Sequence, residues 1–401
     1  MSVLSSLRIA LCCSLSLTIP LCASAATQTD SPATVTAHPI GEAPTPSDLN
    51  AGTPSEDPNR PLTIAVIMPG DNAPTMAANK IVLNGLTAAA INKPNLRLLM
   101  IESGSNDNLS NQLKAAVLAG ADVAIGPLSH DRVDALLRLP YLPLPVIALN
   151  TPTNDMPAET DSQLLLMSIS TELEANYVAD QAATALEQLN DPDAKVVILR
   201  DAAKADYRIT AGYEEALQNR HVPYQIMPID LSGINSQRQL LGGNDQARLP
   251  YPIALMSLDA AQAGLVVNRL PRKTQVWGIS LLNPGDPETN PTASSLVYDM
   301  NNAIFVDSPL LVKYDAQSFE AKFQTPMPYS PTAKRLFALG VDALGAAEKW
   351  AHQQMTFKIS GESGTWISDR AQSPVVERKP ATVLIQDGSL QLLTLDPTAK
   401  P

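Results

Sequence analysis

Short, almost uninterrupted apolar segments alternate with segments of helical periodicity through most of this 401-residue chain. The alternation begins abruptly at Pro61. It is typical of parallel strands covered by helices on both faces, because strands in that position are buried on both sides. The first series predicts four strands with three helices between them, at residues 63–69, 76–91, 96–101, 109–118, 122–127, 131–137 and 145–150.

A second series of the same kind follows. It has an apolar segment and a long helix, then four more strands, at residues 164–169, 171–189, 195–199, 224–229, 253–257 and 275–279. Two consecutive series of similar length predict an α/β protein with two Rossmann-like lobes rather than one large sheet.

The C-terminal part has a different pattern. An extended segment at 303–306 and a long helix at 329–352 precede short, turn-separated segments that predict a small antiparallel β appendage. This order indicates that the chain crosses between the lobes more than once. We assign residues 61–165 and about 305–355 to the first lobe, and about 166–304 and 356–395 to the second.

Residues 1–25 have the features of a secretion signal. Arg8 precedes the apolar segment Ile9–Leu21, and Ala23-Ser24-Ala25 is a signal-peptidase pattern, so we expect cleavage after Ala25 and a periplasmic protein with no transmembrane segment. The alternative is an outer-membrane lipid anchor at Cys22. It is disfavoured because a lipobox requires a small residue where Leu21 stands.

Residues 26–60 are rich in Pro, Thr and Ser and poor in large apolar residues, which predicts a disordered linker. All three cysteines precede Ala25, so the cleaved chain would contain neither a disulfide nor a reactive thiol. The net charge of −12 argues against nucleic acid and anionic membranes as partners, since both need a basic surface.

No catalytic or cofactor motif is present. The four histidines are scattered, and there is no HExxH, CxxC, Walker or GxGxxG pattern. Gly361-Glu362-Ser363-Gly364 lacks the spacing of a nucleophile elbow and predicts a β-turn. We therefore predict that the protein is not an enzyme and binds no metal or cofactor.

Polar residues at the carboxyl ends of the predicted strands are the candidate ligand-cleft residues, because open α/β sheets bind ligands at that edge. They are Asp71, Ser105, Ser129, Asn150, Thr151, Tyr207, Arg208 and Asp259. The alternative for Ser129 and Thr151 is that they only cap helices or turns.

The segments 64–69, 124–129 and 145–152 resemble those of periplasmic type I ligand-binding proteins of the branched-chain amino-acid receptor kind. The resemblance implies that Ser129 and Thr151 lie on the side that binds a ligand carboxylate, and that Tyr207 is the cleft aromatic. Arg208 stands where that family usually has Gly, and an Arg there could fill the cleft.

Within that superfamily, segments 125–128, 148–150, 168–174, 335–343, 359–364 and 377–378 are most similar to the penicillin-binding protein activator family, the LpoA type. The resemblance implies an outer-membrane lipoprotein that stimulates a bifunctional peptidoglycan synthase. Two departures are the poor lipobox and the predicted linker, which stands where longer relatives carry a helical-repeat domain.

Two hypotheses for the function therefore remain. The first is a regulator whose partner is a bifunctional penicillin-binding protein. The second is a receptor that delivers an amino acid or a similar small molecule to an ABC transporter.

Overall fold

The computed structural model describes residues 60–393 apart from 71, 102–107, 155, 158, 204–206, 232–250 and 287–289. The predicted secretion signal and the predicted linker, apart from Arg60, lie outside the described residues, as do the candidate site residues Asp71 and Ser105.

The first lobe begins with alternating strands and helices. They are β1 (Leu62–Val66), α1 (Ala73–Ala90), β2 (Leu96–Met100), α2 (Leu109–Leu118), β3 (Val123–Ile125), α3 (His130–Leu137), β4 (Val146–Ala148) and β5 (Leu164–Leu166). The five strands form a parallel sheet in the order β2-β1-β3-β4-β5. The residues of β3, β4 and β5 are all buried, as expected for strands covered on both faces.

The second lobe contains a seven-stranded sheet. Its elements are α4 (Thr171–Gln188), β6 (Val196–Asp201), α5 (Arg208–Asn219), β7 (Tyr224–Ile229), β8 (Ile253–Ser257), α6 (Ala260–Val267), β9 (Gln275–Gly278), α7 (Pro291–Asp299), β10 (Ala303–Asp307) and, much later in the chain, β14 (Ala381–Gln386) and β15 (Ser389–Leu393). The order is β15-β14-β10-β9-β8-β6-β7. Strands β6 to β10 are parallel, whereas β14 and β15 are antiparallel to their neighbours.

Between β10 and β14 the chain returns to the first lobe. It forms α8 (Leu310–Lys313), α9 (Ala316–Phe323), α10 (Pro331–Ala351) and an antiparallel sheet of β11 (Thr356–Ser360), β12 (Thr365–Asp369) and β13 (Glu377–Lys379). Leu339 and Ala343 of α10 share one buried core with Ile64 of β1 and with Val82 and Leu86 of α1. The predicted two-lobed α/β fold with a small antiparallel appendage is confirmed.

The chain crosses between the lobes three times, after β5, after β10 and after β13. The structure divides the segment 356–395, which the sequence analysis assigned as a whole to the second lobe. Phe357, Trp366 and Val376 pack into the core of the first lobe, whereas β14 and β15 extend the second sheet. Strand β10, which ends at Asp307, also belongs to the second sheet. Short alternating strands carry no local signal of which sheet they join, so sequence reasoning misplaced these boundaries.

Helices α1 and α10 pack at very short distance through two glycines. A Cβ atom on Gly85 would lie 2.1 Å from the carbonyl oxygen of Phe337, and one on Gly340 would lie 2.2 Å from that of Val82. The absence of side chains at these two positions allows the two backbones to touch.

Candidate functional site

A cavity of about 240 Å³, here called the interlobe cavity, lies between the two lobes. The first lobe contributes apolar side chains and three polar residues, and the second lobe contributes charged ones. The lining includes Leu128, Leu149, Leu336 and Leu339 together with Asn150, Ser168, Ser170, Glu172 and Arg208. Two of the predicted site residues, Asn150 and Arg208, therefore line the same cavity.

The turn after β3 brings Ser129 to the cavity's edge. Gly126 has φ of 109°, and a Cβ atom there would lie 1.9 Å from the carbonyl oxygen of Ile67, so only glycine fits. A cis peptide bond joins Gly126 to Pro127. Ser129 occupies the N-cap of α3 without a side-chain capping bond, and its Oγ is buried with no hydrogen-bond partner among the described residues.

Asn150 makes three side-chain hydrogen bonds within the first lobe. Its Nδ2 donates to the carbonyl of Leu128 over 3.1 Å, and its Oδ1 accepts from the backbone N–H of Thr151 and from the hydroxyl of Ser168. The carbonyl of Thr151 lies 2.7 Å from Nδ1 of His130. The Thr151 amide, which would be a natural donor to a ligand carboxylate, is therefore already occupied.

Arg208, on the second-lobe side, forms an ion pair with Glu172, with 3.4 Å between Nη1 and Oε1. Both residues line the interlobe cavity, and Arg208 remains largely exposed. The Oγ of Ser170 caps α4 by accepting from the N–H of Leu173, which leaves its hydroxyl proton as a donor at this opening. The two charged side chains at this opening thus pair with each other within the protein.

A second cavity of about 240 Å³ lies at the strand ends of the second lobe, lined by Arg200, Asp201, Ile209, Ser257, Leu258, Asp259 and Leu281. Asp259 caps α6 in a reciprocal capping box with Gln262, whose Nε2 also donates to Asp201 over 2.7 Å. The predicted ligand residue Asp259 thus has a structural role here.

Arg200 lines this cavity and is absent from the candidate set. Its guanidinium carbon lies 4.8 Å from the ring centre of Tyr207, which is about half exposed. Its Nη1 is buried and has no acceptor among the described residues. The sequence signal was a charged residue at the end of the buried strand β6, directly before Asp201. Of the predicted residues that the structure describes, Asn150 and Arg208 line the interlobe cavity, and Asp259 lines the second cavity.

The fold is similar to those of several solved structures. A branched-chain amino acid ABC transporter protein from Chromobacterium violaceum is 25% identical, with a TM-score of 0.61, over 80% of this chain and 99% of that one. The C-domain of LpoA from Haemophilus influenzae, a regulator of PBP1A, is 17% identical, with a TM-score of 0.62, over 83% and 100%. The fold is that of the type I periplasmic binding proteins.

Full-length LpoA from Haemophilus influenzae is also similar to this chain, with a TM-score of 0.63 and 17% identity, but the match covers only 59% of that longer protein. No protein-family model matches the chain, and no curated protein matches it. In the described part of the chain, no helix has the length and apolar character needed to cross a membrane. The same residues contain no cluster of three or more metal-ligating side chains.

Buried ion pairs join the two lobes at the crossovers. Arg378 of β13, in the first lobe, donates from Nη1 to Glu174 of α4, in the second lobe, over 2.8 Å. The two side chains are 3% and 2% exposed, so water screens this pair very little. Arg378 also donates to the carbonyl of Ser363 and the hydroxyl of Ser308.

A second pair lies beside the first. Arg335 of α10 binds both carboxylate oxygens of Asp307, at the end of β10, over 2.7 Å each. Its Nη2 also donates to the carbonyl of Ser280, while the N–H of Ser280 donates to Glu174. We call Glu174, Ser280, Asp307, Ser308, Arg335, Ser363 and Arg378 the crossover network. It ties the first lobe to the second without any ligand.

The turn Gly361-Glu362-Ser363-Gly364 is held against α10 by Asp342. This buried carboxylate accepts from the N–H groups of Glu362 and Ser363, the hydroxyl of Ser363 and the indole of Trp366. A Cβ atom on Gly361 would lie 2.2 Å from Asp342 Oδ1, which explains the glycine. The predicted β-turn thus fixes the position of the Ser363 carbonyl, which accepts a hydrogen bond from Arg378.

Asp342 leads to a prediction about pH. Burial raises the pKa of its carboxyl, and the four hydrogen-bond donors oppose this rise. A raised pKa means that the folded state binds the proton more tightly than the unfolded chain does. The stability linked to this group is therefore present at acid pH and is lost as pH rises from about 3.9 through the raised pKa.

The test compares the wild type with Asp342→Asn, which cannot titrate, by urea unfolding between about pH 3.5 and pH 7. The free energy of unfolding of the wild type minus that of the variant should decrease as pH rises. An increase over this range would mean that the donors outweigh burial and lower the pKa.

Proposed function

We propose that the protein is a non-catalytic regulator in the periplasm that acts through protein contacts on a bifunctional penicillin-binding protein. The observation that carries the proposal is the interlobe cavity, whose first-lobe amides and second-lobe charges already have partners within the protein. A cleft of that kind offers a small ligand few free groups with which to close the lobes.

The crossover network supports the same conclusion. A ligand-gated receptor gains its closed form from contacts that the ligand makes with both lobes. Here Arg378–Glu174 and Arg335–Asp307 already supply buried contacts between the lobes. The likeness to LpoA, described as a regulator of PBP1A, adds the kind of partner. Export by cleavage after Ala25 is part of this proposal.

A solute receptor is the second candidate, and the buried Nη1 of Arg200 favours it. A guanidinium group without an acceptor is suited to a carboxylate, and it lies at the strand-end edge where ligands of this fold class bind. The likeness to a branched-chain amino acid ABC transporter protein agrees with a ligand of that type.

One experiment separates the two candidates. Purified protein is screened by thermal shift against the common amino acids, and its binding to a purified bifunctional penicillin-binding protein is measured by biolayer interferometry. We expect no cleft-dependent rise in melting temperature and saturable binding to the synthase, with Arg200→Met matching the wild type in both assays.

A ligand that acts through the cleft would stabilise the fold by about 2.7 kcal/mol at roughly a hundredfold excess over its dissociation constant. A saturable rise in melting temperature that disappears in Arg200→Met, with no binding to the synthase, would identify a receptor instead.

A further inference from the structure

A pocket of about 300 Å³ opens on the first lobe, away from the interlobe cavity, with which it shares no lining residue. The C-terminal end of α1, the end of α9, the middle of α10 and the turn after β11 enclose it. Its apolar or small lining residues include Ala88, Phe323, Val341, Gly345 and Ile359. We call it the α1–α10 pocket.

The α1–α10 pocket contains a buried carboxylate with an unused oxygen. The side chain of Glu362 is 9% exposed, and its Oε1 accepts from the hydroxyl of Tyr314 and from Nζ of Lys322. Its Oε2 is buried and has no donor among the described residues. Such a group needs an explanation, because a buried acceptor without a donor costs free energy.

The backbone holds Glu362 firmly in this position. Its N–H donates to Asp342, and its carbonyl accepts from the N–H of Leu310. Asp342 itself is occupied by the turn, so it cannot serve Glu362 as a partner. The unused oxygen is therefore a fixed acceptor, suited to an ammonium group or a hydroxyl.

The rim of the pocket carries the opposite charge. Lys93 and Lys322 are 38% and 43% exposed, and the amide of Asn92 lies beside Lys93 in the chain. Lys93 pairs with Glu348, and Lys322 pairs with Glu362, so the formal charges of these two pairs balance. A ligand with both an ammonium group and a carboxylate would match the acceptor inside the pocket and the cations at its rim.

We propose that the α1–α10 pocket binds a small zwitterion with an aliphatic side chain. Its ammonium group donates to Glu362, its carboxylate meets Lys93 and Asn92 at the rim, and its side chain contacts Val341 and Ile359. This site is separate from the strand-end cleft and goes beyond the proposed regulatory function.

The probe is L-leucine, followed by NMR of the methyl groups of Ile359 and Val341. Saturable shifts should occur with L-leucine and be at least about tenfold weaker with 3-methylbutylamine, which lacks the carboxylate, and with 4-methylpentanoate, which lacks the ammonium group. Equal binding of either analogue would overturn a zwitterion site.

Three variants make the test specific. Glu362→Gln removes the charge, Lys93→Ala removes a rim cation, and Gly345→Ala places a methyl group on the pocket wall, where the nearest atoms, of Ile359, are 3.8 Å away. Gly345→Ala should raise the melting temperature, since alanine favours a helix, and still weaken leucine binding about tenfold.

Retention of full binding in both Glu362→Gln and Gly345→Ala would overturn the inference. So would an absence of methyl shifts with L-leucine, or shifts confined to Leu336 and Leu339 of the interlobe cavity. Synthase binding is measured separately, so failure of this inference leaves the proposed function standing.

Discussion

Arg378→Met should destabilise the protein by about 3–5 kcal/mol, because it leaves the buried carboxylate of Glu174 without its guanidinium partner. The N–H of Ser280 would remain as a donor to Glu174, at 3.2 Å. The free energy of unfolding can be measured in urea by tryptophan fluorescence, since Trp277 lies in the second lobe and Trp350 and Trp366 lie in the first.

The matched control is Arg220→Met. Arg220 also binds two carboxylates, those of Asp180 and Glu187, but the three side chains are 32%, 46% and 58% exposed. Its loss should cost about 0–1 kcal/mol. The double variant Glu174→Met, Arg378→Met should recover part of the loss, because two apolar side chains replace an unpaired charge. Similar effects of Arg378→Met and Arg220→Met would refute a special role for the crossover pair.

Gly340→Ala should destabilise the first lobe by about 1–3 kcal/mol or more, through overpacking. The new methyl group would lie 2.2 Å from the carbonyl oxygen of Val82 and 3.1 Å from the backbone nitrogen of Leu86. Both atoms belong to the backbone of α1, so the contact is relieved only if the two helices move apart.

Gly345→Ala, on the same helix, is the control for this effect. Its methyl group would meet only side-chain atoms of Ile359 at ordinary contact distance. It should therefore stabilise the protein by about 0.5–1 kcal/mol, the usual gain from alanine in a helix. Urea unfolding of both variants tests the pair, and a loss of stability in Gly345→Ala similar to that in Gly340→Ala would show that the contact with the α1 backbone is not the cause.

Sequence periodicity predicted the two lobes because the residues of each strand themselves indicate that it is buried. Residues 64–66 and 146–148, for example, are apolar throughout and are fully buried. Helix boundaries shifted where caps decide them. The helix expected from residue 76 begins at Ala73, since Asn72 accepts from the N–H of Thr75, and the one expected from 329 begins at Pro331 after the capping Ser330.

The candidate site was harder to predict because its contacts are distant in sequence. Glu174 and Arg378 are 204 residues apart, and neither residue type normally indicates a buried partner. Likewise, the position of Asn150 predicted a polar residue at a strand end, but only the structure reveals that its amide is spent on Leu128, Thr151 and Ser168. The packing of distant segments decides which polar atoms keep no hydrogen-bond partner. The periodicity of the sequence gives no information about it.

The three crossovers have a consequence for how the chain is made. The first lobe lacks part of its core until Trp366 and Val376 have been synthesised, and the second lacks two strands until Leu393 has been. Neither lobe can be completed while the chain is growing, since contacts between distant segments form late. Both lobes therefore stay incompletely folded until the last strands have emerged from the ribosome.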